Sequence, residues 1–175
     1  MGSPGSGKTT LGRRLAERLE ATFVELDELH HRPGWSEAST AELRASVAEA
    51  LSGPRWVADG NYRQAADLTQ MRADTIVWLD LPRPLVTWRV LRRSLGRIAR
   101  RQELWHGNRE SLRRLFSRDP ERSIVAWTWR QHPRYEERYT AQLDERIWAH
   151  ADVVRLRTQR EIDRWLDAVT SVRQD

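Results

Sequence analysis

Residues 2–9 read Gly2-Ser3-Pro4-Gly5-Ser6-Gly7-Lys8-Thr9. They fit G-x-x-x-x-G-K-[ST], the pattern of a phosphate-binding loop. The glycines let the backbone curl until its N–H groups point inward at phosphate oxygens. The helix that follows turns its positive dipole end to the same place. In this arrangement Gly2, Ser3, Pro4, Gly5, Ser6 and Gly7 wrap nucleotide phosphates, and Thr10 continues the motif. Lys8 reaches the β- and γ-phosphates, and Thr9 offers its hydroxyl to Mg²⁺. Leu11, Leu15 and Leu19 follow at four-residue steps, the apolar stripe of a helix. The alternative is a Gly/Ser-rich disordered N-terminus, which that helical stripe opposes.

The charge census singles out the same residue. Lys and Arg total 30, and Lys8 is the only lysine among them. Arginine is a planar fork, whereas lysine is a compact point charge on a thin stem. A position that keeps lysine in a background of arginine needs that shape.

The rest of the composition sets bounds. A chain of 175 residues with 39% apolar and 31% charged residues reads as one globular domain. There is no cysteine, which excludes disulfides, thiolate metal sites and cysteine nucleophiles. No apolar run approaches the roughly 20 residues of a bilayer span, and no signal peptide opens the chain. A cytoplasmic protein without a membrane partner is expected, as a monomer or homodimer.

Strands alternate with helices along the chain. Thr22–Asp27 reads as a strand. Ser39-Thr40-Ala41-Glu42 is a capping box opening a helix with Leu43, Val47 and Leu51 on one face. Arg55–Asp59 and Asp74–Asp80 read as strands. Pro84 suits the first turn of a helix running to about Arg101. Asn108 reads as the cap of a short helix through Leu115. Pro120 and Pro133 bracket another, and Tyr135–Ala149 reads as a separate one. Asp152–Arg157 is the last strand, and Thr158–Glu161 is a second capping box before the final helix. This order implies a three-layer α/β fold with a parallel sheet. Ligands then gather at the carboxyl ends of the strands, where the phosphate loop, Asp27, Asp59 and Asp80 all fall. Trp78, Trp127 and Trp165 occupy apolar positions expected in the core.

A phosphate loop joins a strand to a helix, but only Met1 precedes Gly2. Burying about five apolar side chains of such a strand contributes about 10 kcal/mol, and a whole domain is stable by only about 5–15 kcal/mol. The expectation is that the natural chain starts upstream or that this chain is marginally stable.

Three constellations carry chemistry. In Trp56-Val-Ala-Asp59-Gly60-Asn61-Tyr62-Arg63, the acid ends a strand opposite the phosphate loop and can serve Mg²⁺. Gly60 permits a sharp turn, and Arg63 can clamp a phosphate; a plain Asp-Gly turn is the alternative. In Leu26-Asp27-Glu28-Leu29-His30-His31-Arg32-Pro33-Gly34-Trp35, Asp27 ends the second strand and faces the same crevice, with Trp35 either a ring platform or a hydrophobic anchor. Finally Arg89, Arg93, Arg97 and Arg101 recur every four residues on one predicted helix face. Like charges at that spacing repel, so the stripe calls for an anion. The alternatives are a solvated face neutralised by Glu103, Glu110 or Glu121, and a nucleic-acid-binding face.

On these residues the chain resembles the adenylate kinase-like P-loop kinases, whose corresponding strand ends Asp-Gly-x-x-Arg. The carry-over covers Asp59, Gly60 and Arg63; Asn61-Tyr62 departs from the usual Phe-Pro. The resemblance implies an ATP-dependent phosphotransferase using Mg²⁺ between Thr9 and Asp59. It implies a single P-loop kinase-like domain, 1–175, with a helical lid insertion at about 89–149 that brings Arg97 and Arg101 to the γ-phosphoryl group. The acceptor would lie near Asp27, Trp35, Asn61 and Arg63, with Thr158 near the adenine. Asp27 has the position of an acid that, in kinases similar to shikimate and gluconate kinases, binds or activates an acceptor hydroxyl. Val-Glu-Leu-Asp27, Pro-Gly-Trp35, Asp-Gly-Asn-Tyr62, Trp-Leu-Asp-Leu-Pro82 and the segment Glu103–Glu110 are similar to the "DNA topology modulation protein" group. The leading expectation is a kinase for an unidentified small acceptor, and the second a nucleic-acid-associated P-loop ATPase or regulator.

Overall fold

A computed structural model of the chain describes residues 1–108, 110–117, 119 and 123–171. Helix α1 spans Lys8–Leu19, strand β1 Thr22–Glu25, α2 Leu26–His30 and α3 Thr40–Ala50. Strand β2 spans Trp56–Asp59, α4 Ala66–Thr69, β3 Thr75–Leu79 and α5 Arg83–Ala99. They are followed by α6 (Leu112–Leu115), α7 (Ile124–Asp144), β4 (Asp152–Leu156) and α8 (Gln159–Ser171). Short 3-10 turns lie at Pro33–Trp35, Arg63–Ala65 and Trp105–Gly107.

The fold is α/β with parallel strands. β1 pairs with β2 from Thr22↔Trp56 to Glu25↔Asp59, and β3 pairs with β4 from Thr75↔Asp152 to Leu79↔Leu156. Among the described residues no ladder joins β2 to β3. Met1 and Gly2 lie along β3 instead: Leu79 N donates to Met1 O at 2.9 Å, and Gly2 bridges Leu79 in the parallel sense. Helices cover the strands because their apolar stripes need burial. Leu11 of α1 and Ile162 and Leu166 of α8 pack with Leu79 and Leu156. Leu43 and Val47 of α3 pack with Val24 and Leu26. Ile76 and Trp78 of β3 meet Tyr139 of α7 and Trp148. Among the described residues no helix is long and apolar enough to cross a membrane.

The Ser39 capping box forms, and Thr158 caps α8. Glu42 N donates to Ser39 Oγ while Ser39 N donates to Glu42 Oε2. Glu161 N donates to Thr158 Oγ1, and Glu161 Oε2 accepts from Arg157 N.

Several expected boundaries differ. β1 stops at Glu25, and Asp27 lies in the first turn of α2 beside Glu28, where acidic side chains favour the helix dipole. α5 ends at Ala99, and Arg101 takes a left-handed φ of 49°. Arg101 therefore leaves the helix face that carries Arg89, Arg93 and Arg97. Asn108 does not cap α6, which starts at Leu112; it closes the 3-10 turn Trp105–Gly107, and its side chain crosses to another loop. Pro133 does not separate two helices but sits inside α7. Tertiary contacts hold the helix through it: His132 Nε2 donates to Leu81 O at 2.8 Å, and Tyr139 packs on Trp78. Trp127 and Trp165 are only half-buried, while Trp148 joins Trp78 in the core. Pro120 and Glu121 lie outside the described residues.

A proline interior to a helix removes one backbone hydrogen bond, while its restricted unfolded state offsets part of that cost. Pro133→Ala is therefore expected to stabilise the protein by about 1 kcal/mol, raising Tm by ~2–4 °C in a thermal melt.

Candidate active site

The phosphate loop owes its shape to glycines that the rest of the molecule holds closely. Gly5 has φ 79°, and a Cβ there would stand 2.3 Å from Val86 O. Ser6 N donates to Ser3 O at 3.2 Å, closing the turn. Lys8 opens α1, and its Nζ donates to Ser3 O at 3.1 Å. Pro4 lies between them in the loop, and Thr10 is exposed on the first turn of α1.

The turn after β2 organises the crevice. Asp59, the last residue of β2, is buried and its Oδ2 accepts from Thr9 Oγ1 at 2.6 Å. Its Oδ1 is buried with no partner. Gly60, at φ 150°, presses against Leu26, where a Cβ would come within 2.7 Å. Asn61 Nδ2 donates to Gly2 O at 2.7 Å. Tyr62 Oη donates to Asp27 Oδ1 at 2.7 Å. Three side chains of one turn thus reach Thr9, the start of the phosphate loop and Asp27. Burial, followed by the charge of Asp27, holds the Tyr62 phenol far above its ordinary pKa, so it remains a donor.

A hydroxyl and a carboxylate at the head of a phosphate loop suit a hard divalent cation. The unpartnered Asp59 oxygen leaves a lone pair for it. Thr9 and Asp59 therefore fit Mg²⁺ held beside bound phosphates. Among the described residues no group of three or more His, Asp or Glu side chains is gathered as a metal cage.

Trp35 stands on a loop tied across the crevice. Asn108, buried, accepts from Trp35 N through Oδ1 at 2.9 Å. Its Nδ2 donates to Arg32 O and Trp105 O, both at 2.9 Å. The His31 ring stacks on Trp105 and meets Trp35 edge-on. Asn108→Ala leaves Trp35 N and Arg32 O without their partner, while Trp105 O keeps the backbone N–H of residue 108, and is expected to cost about 1–3 kcal/mol. Chemical denaturation monitored by tryptophan fluorescence checks it.

The remaining expected residues are dispersed. Arg97 is engaged by Glu110 at 2.9 Å, and Arg89 donates to Gln159 Oε1 at 3.1 Å. Arg93 is reached by solvent, yet surrounding protein and then Arg97 push it below the usual guanidinium value, opposed by Glu110 and Asp27. Arg63 is exposed and, with Gln70, Arg138 and Gln142, lines a cleft of about 290 Å³. Thr158 is occupied as the cap of α8. Asp80 holds Arg155 through two hydrogen bonds and so braces β3 against β4.

Sequence reading missed the surroundings of four residues. Tyr62 and Asn108 find partners 35 and 73 residues away in sequence, which no local spacing reveals. Arg93 gains its place only through how α5 packs. Glu25 was legible in part, since strand pairing sets it opposite Asp59. It pairs with Arg13 at 2.9 Å. Burial raises its pKa, opposed by Arg13.

Comparison with known proteins bears on this geometry. The family model described as "Shikimate kinase" matches residues 4–42, from the phosphate loop through Asp27 to the start of α3. The shikimate kinase of Corynebacterium glutamicum is 35% identical over 95 residues, 47% of this chain and 56% of the relative. That of Thermobifida fusca is 41% identical over 113 residues, 49% of this chain and 66% of the relative. A Thermococcus kodakarensis protein named "Putative adenylate kinase" is 31% identical over 103 residues, 55% of each chain. The chain spans about half to two thirds of the length of these relatives. The matches, the phosphate loop and the parallel α/β architecture together give this protein the P-loop kinase fold.

Proposed function

We propose that the protein is an ATP-dependent phosphotransferase acting on a hydroxyl of a small acceptor. The carrying observation is the turn 59–62, which connects Thr9, Gly2 and Asp27 through three hydrogen bonds of 2.6–2.7 Å. The phosphate loop, with Lys8, holds the β- and γ-phosphates of ATP. Thr9 and Asp59 hold Mg²⁺, which when bound neutralises charge on those phosphates. Asp27, positioned by Tyr62, takes the proton as the acceptor oxygen bonds to the γ-phosphorus. The bond from that phosphorus to the β–γ bridging oxygen breaks, and ADP leaves. Trp35 and Asn61 flank the acceptor, and Arg63 takes an anionic group on it. The region 89–149 acts as a lid. Its closure exchanges the Glu110 partner of Arg97 for the transferring phosphoryl group and brings in Arg101. Thr158 lies toward the adenine.

Shikimate is the first acceptor to try, because the family model and the Corynebacterium and Thermobifida relatives bear that name. ADP formation is measured with shikimate, gluconate, nucleosides and nucleoside monophosphates, and with DNA as a separate additive. ADP and a phosphorylated product that both require one small acceptor are the expected result. ADP with inorganic phosphate alone, or turnover that answers only to DNA, overturns the proposal; the latter assigns a nucleic-acid-associated ATPase instead.

A further inference from the structure

Helix α5 is apolar on two opposite faces. Val86 and Val90 are buried against the core. A surface helix ordinarily carries polar residues on the face turned away from its core. Here that face carries Leu85, Trp88 and Leu95, which are 37%, 59% and 40% exposed. With Arg92 and Ala99, both exposed, they recur at alternating steps of three and four residues. That spacing is the seam of a helix that packs along another helix. Half-buried Leu91 widens the stripe on one side.

Two features say what covers the seam. The helix holds five arginines and no acidic residue, so Arg92, in the middle of an apolar stripe, finds no carboxylate on its own element. A guanidinium can instead rest on an indole face, where the ring quadrupole attracts it, and Trp88 offers such a face on the same seam. Gly96, inside the helix and next to Leu95, is the second. A Cβ there would meet nothing within 4 Å, so no neighbour among the described residues demands glycine. Glycine nevertheless weakens a helix relative to alanine, and it allows another backbone to approach closely.

We propose that α5 is a dimerisation helix, pairing antiparallel with α5 of a second copy of this chain across a two-fold axis level with Val90. This register makes the seam self-complementary, as a two-fold interface requires. Leu85 meets the partner's Leu95, and Trp88 meets the partner's Arg92; symmetry repeats both pairs. Gly96 lies beside the start of the partner's α5. A parallel pairing sets Arg92 against the partner's Arg92 and is repelled. An anionic lipid surface would draw the arginines but has no counterpart to the order Leu, Trp, Arg, Leu along the seam. A contact about 25 Å long between helices about 10 Å across buries on the order of 1,000 Å² over both copies. That is the lower end of specific interfaces, so a reversible dimer with a Kd on the order of 10 µM is expected. The interface is independent of the kinase reading, and its test uses neither ATP nor acceptor.

Sedimentation equilibrium of the full chain from about 1 to about 200 µM reads the association. The expected result is a monomer–dimer equilibrium. Trp88→Arg sets arginine against arginine and is expected to raise Kd by at least about tenfold. Trp88→Arg combined with Arg92→Trp rebuilds the same pair in reverse and is expected to return Kd to within about threefold. All the altered side chains are exposed, so circular dichroism is expected to match the parent. The chain has no cysteine, which makes cross-linking a clean check of direction. Under mild oxidation a mixture of Leu85→Cys and Leu95→Cys chains is expected to form a covalent dimer. Neither chain is expected to do so alone, because like positions lie about 15 Å apart along the axis, beyond the reach of a disulfide. Cross-linking of either variant with itself overturns the proposed register. A parent chain that stays monomeric to about 200 µM overturns the dimer. If that monomer sediments with phosphatidylglycerol vesicles, the face belongs to a lipid surface instead. A double variant as weak as Trp88→Arg alone also overturns the pairing of Trp88 with the partner's Arg92.

Discussion

Lys8→Ala is expected to lower the rate of phosphoryl transfer by ~10²–10³-fold, the range found when one preorganised donor to developing charge is removed. Lys8 opens α1, its Nζ meets Ser3 O across the loop, and in the proposed reading it holds the γ-phosphate. Its one hydrogen bond is to an exchangeable backbone oxygen, so the fold is expected to remain intact, with Tm nearly unchanged. Lys8→Arg is a stricter comparison. The chain uses arginine at every other basic position, yet a wide planar fork does not pass through a loop sized for a thin stem. The arginine variant is therefore expected to lose most of its activity despite its retained charge. Initial rates of ADP formation, read beside thermal melts, check both. A turnover within threefold of the parent in Lys8→Ala would remove the phosphate loop from the mechanism.

Asp27→Asn is the second large effect. The amide matches the carboxylate in size and can still accept from Tyr62, so binding geometry is kept while the base is lost. Removing a general base costs typically 10²–10⁴-fold. The loss is expected in kcat, with KM for ATP little changed, because Asp27 faces the acceptor and not the nucleotide in this reading. Tyr62→Phe provides the control. It removes only the donor that orients Asp27 at 2.7 Å, so it is expected to reduce kcat by roughly tenfold, in line with a charge-assisted hydrogen bond. An Asp27→Asn enzyme that keeps its kcat but loses acceptor affinity makes Asp27 a binding group rather than a base.

The arginines of α5 show how a pattern and a packed structure differ. Four-residue spacing places Arg89, Arg93 and Arg97 on one helix face. It does not foretell that the helix stops at Ala99 or that Arg101 turns away with a left-handed φ. Nor does it foretell that Glu110 claims Arg97, because that partner lies beyond the end of the helix, on a different segment.

The sequence by itself determined the parts whose cause is local. The phosphate loop is legible because glycine spacing and a following helix are properties of adjacent residues. The Ser39 capping box and the Thr158 cap form as read, since each closes within four residues. The strand centres are correct because apolar runs must be buried wherever they pack. Tertiary structure alone decided the rest. Pro133 passes through α7 because distant contacts to Leu81 and Trp78 outweigh one lost backbone bond. Asp27 gains its hydrogen-bond partner only when the turn after β2 delivers Tyr62 to it. Trp35 becomes part of the crevice only because Asn108, 73 residues on, holds its backbone.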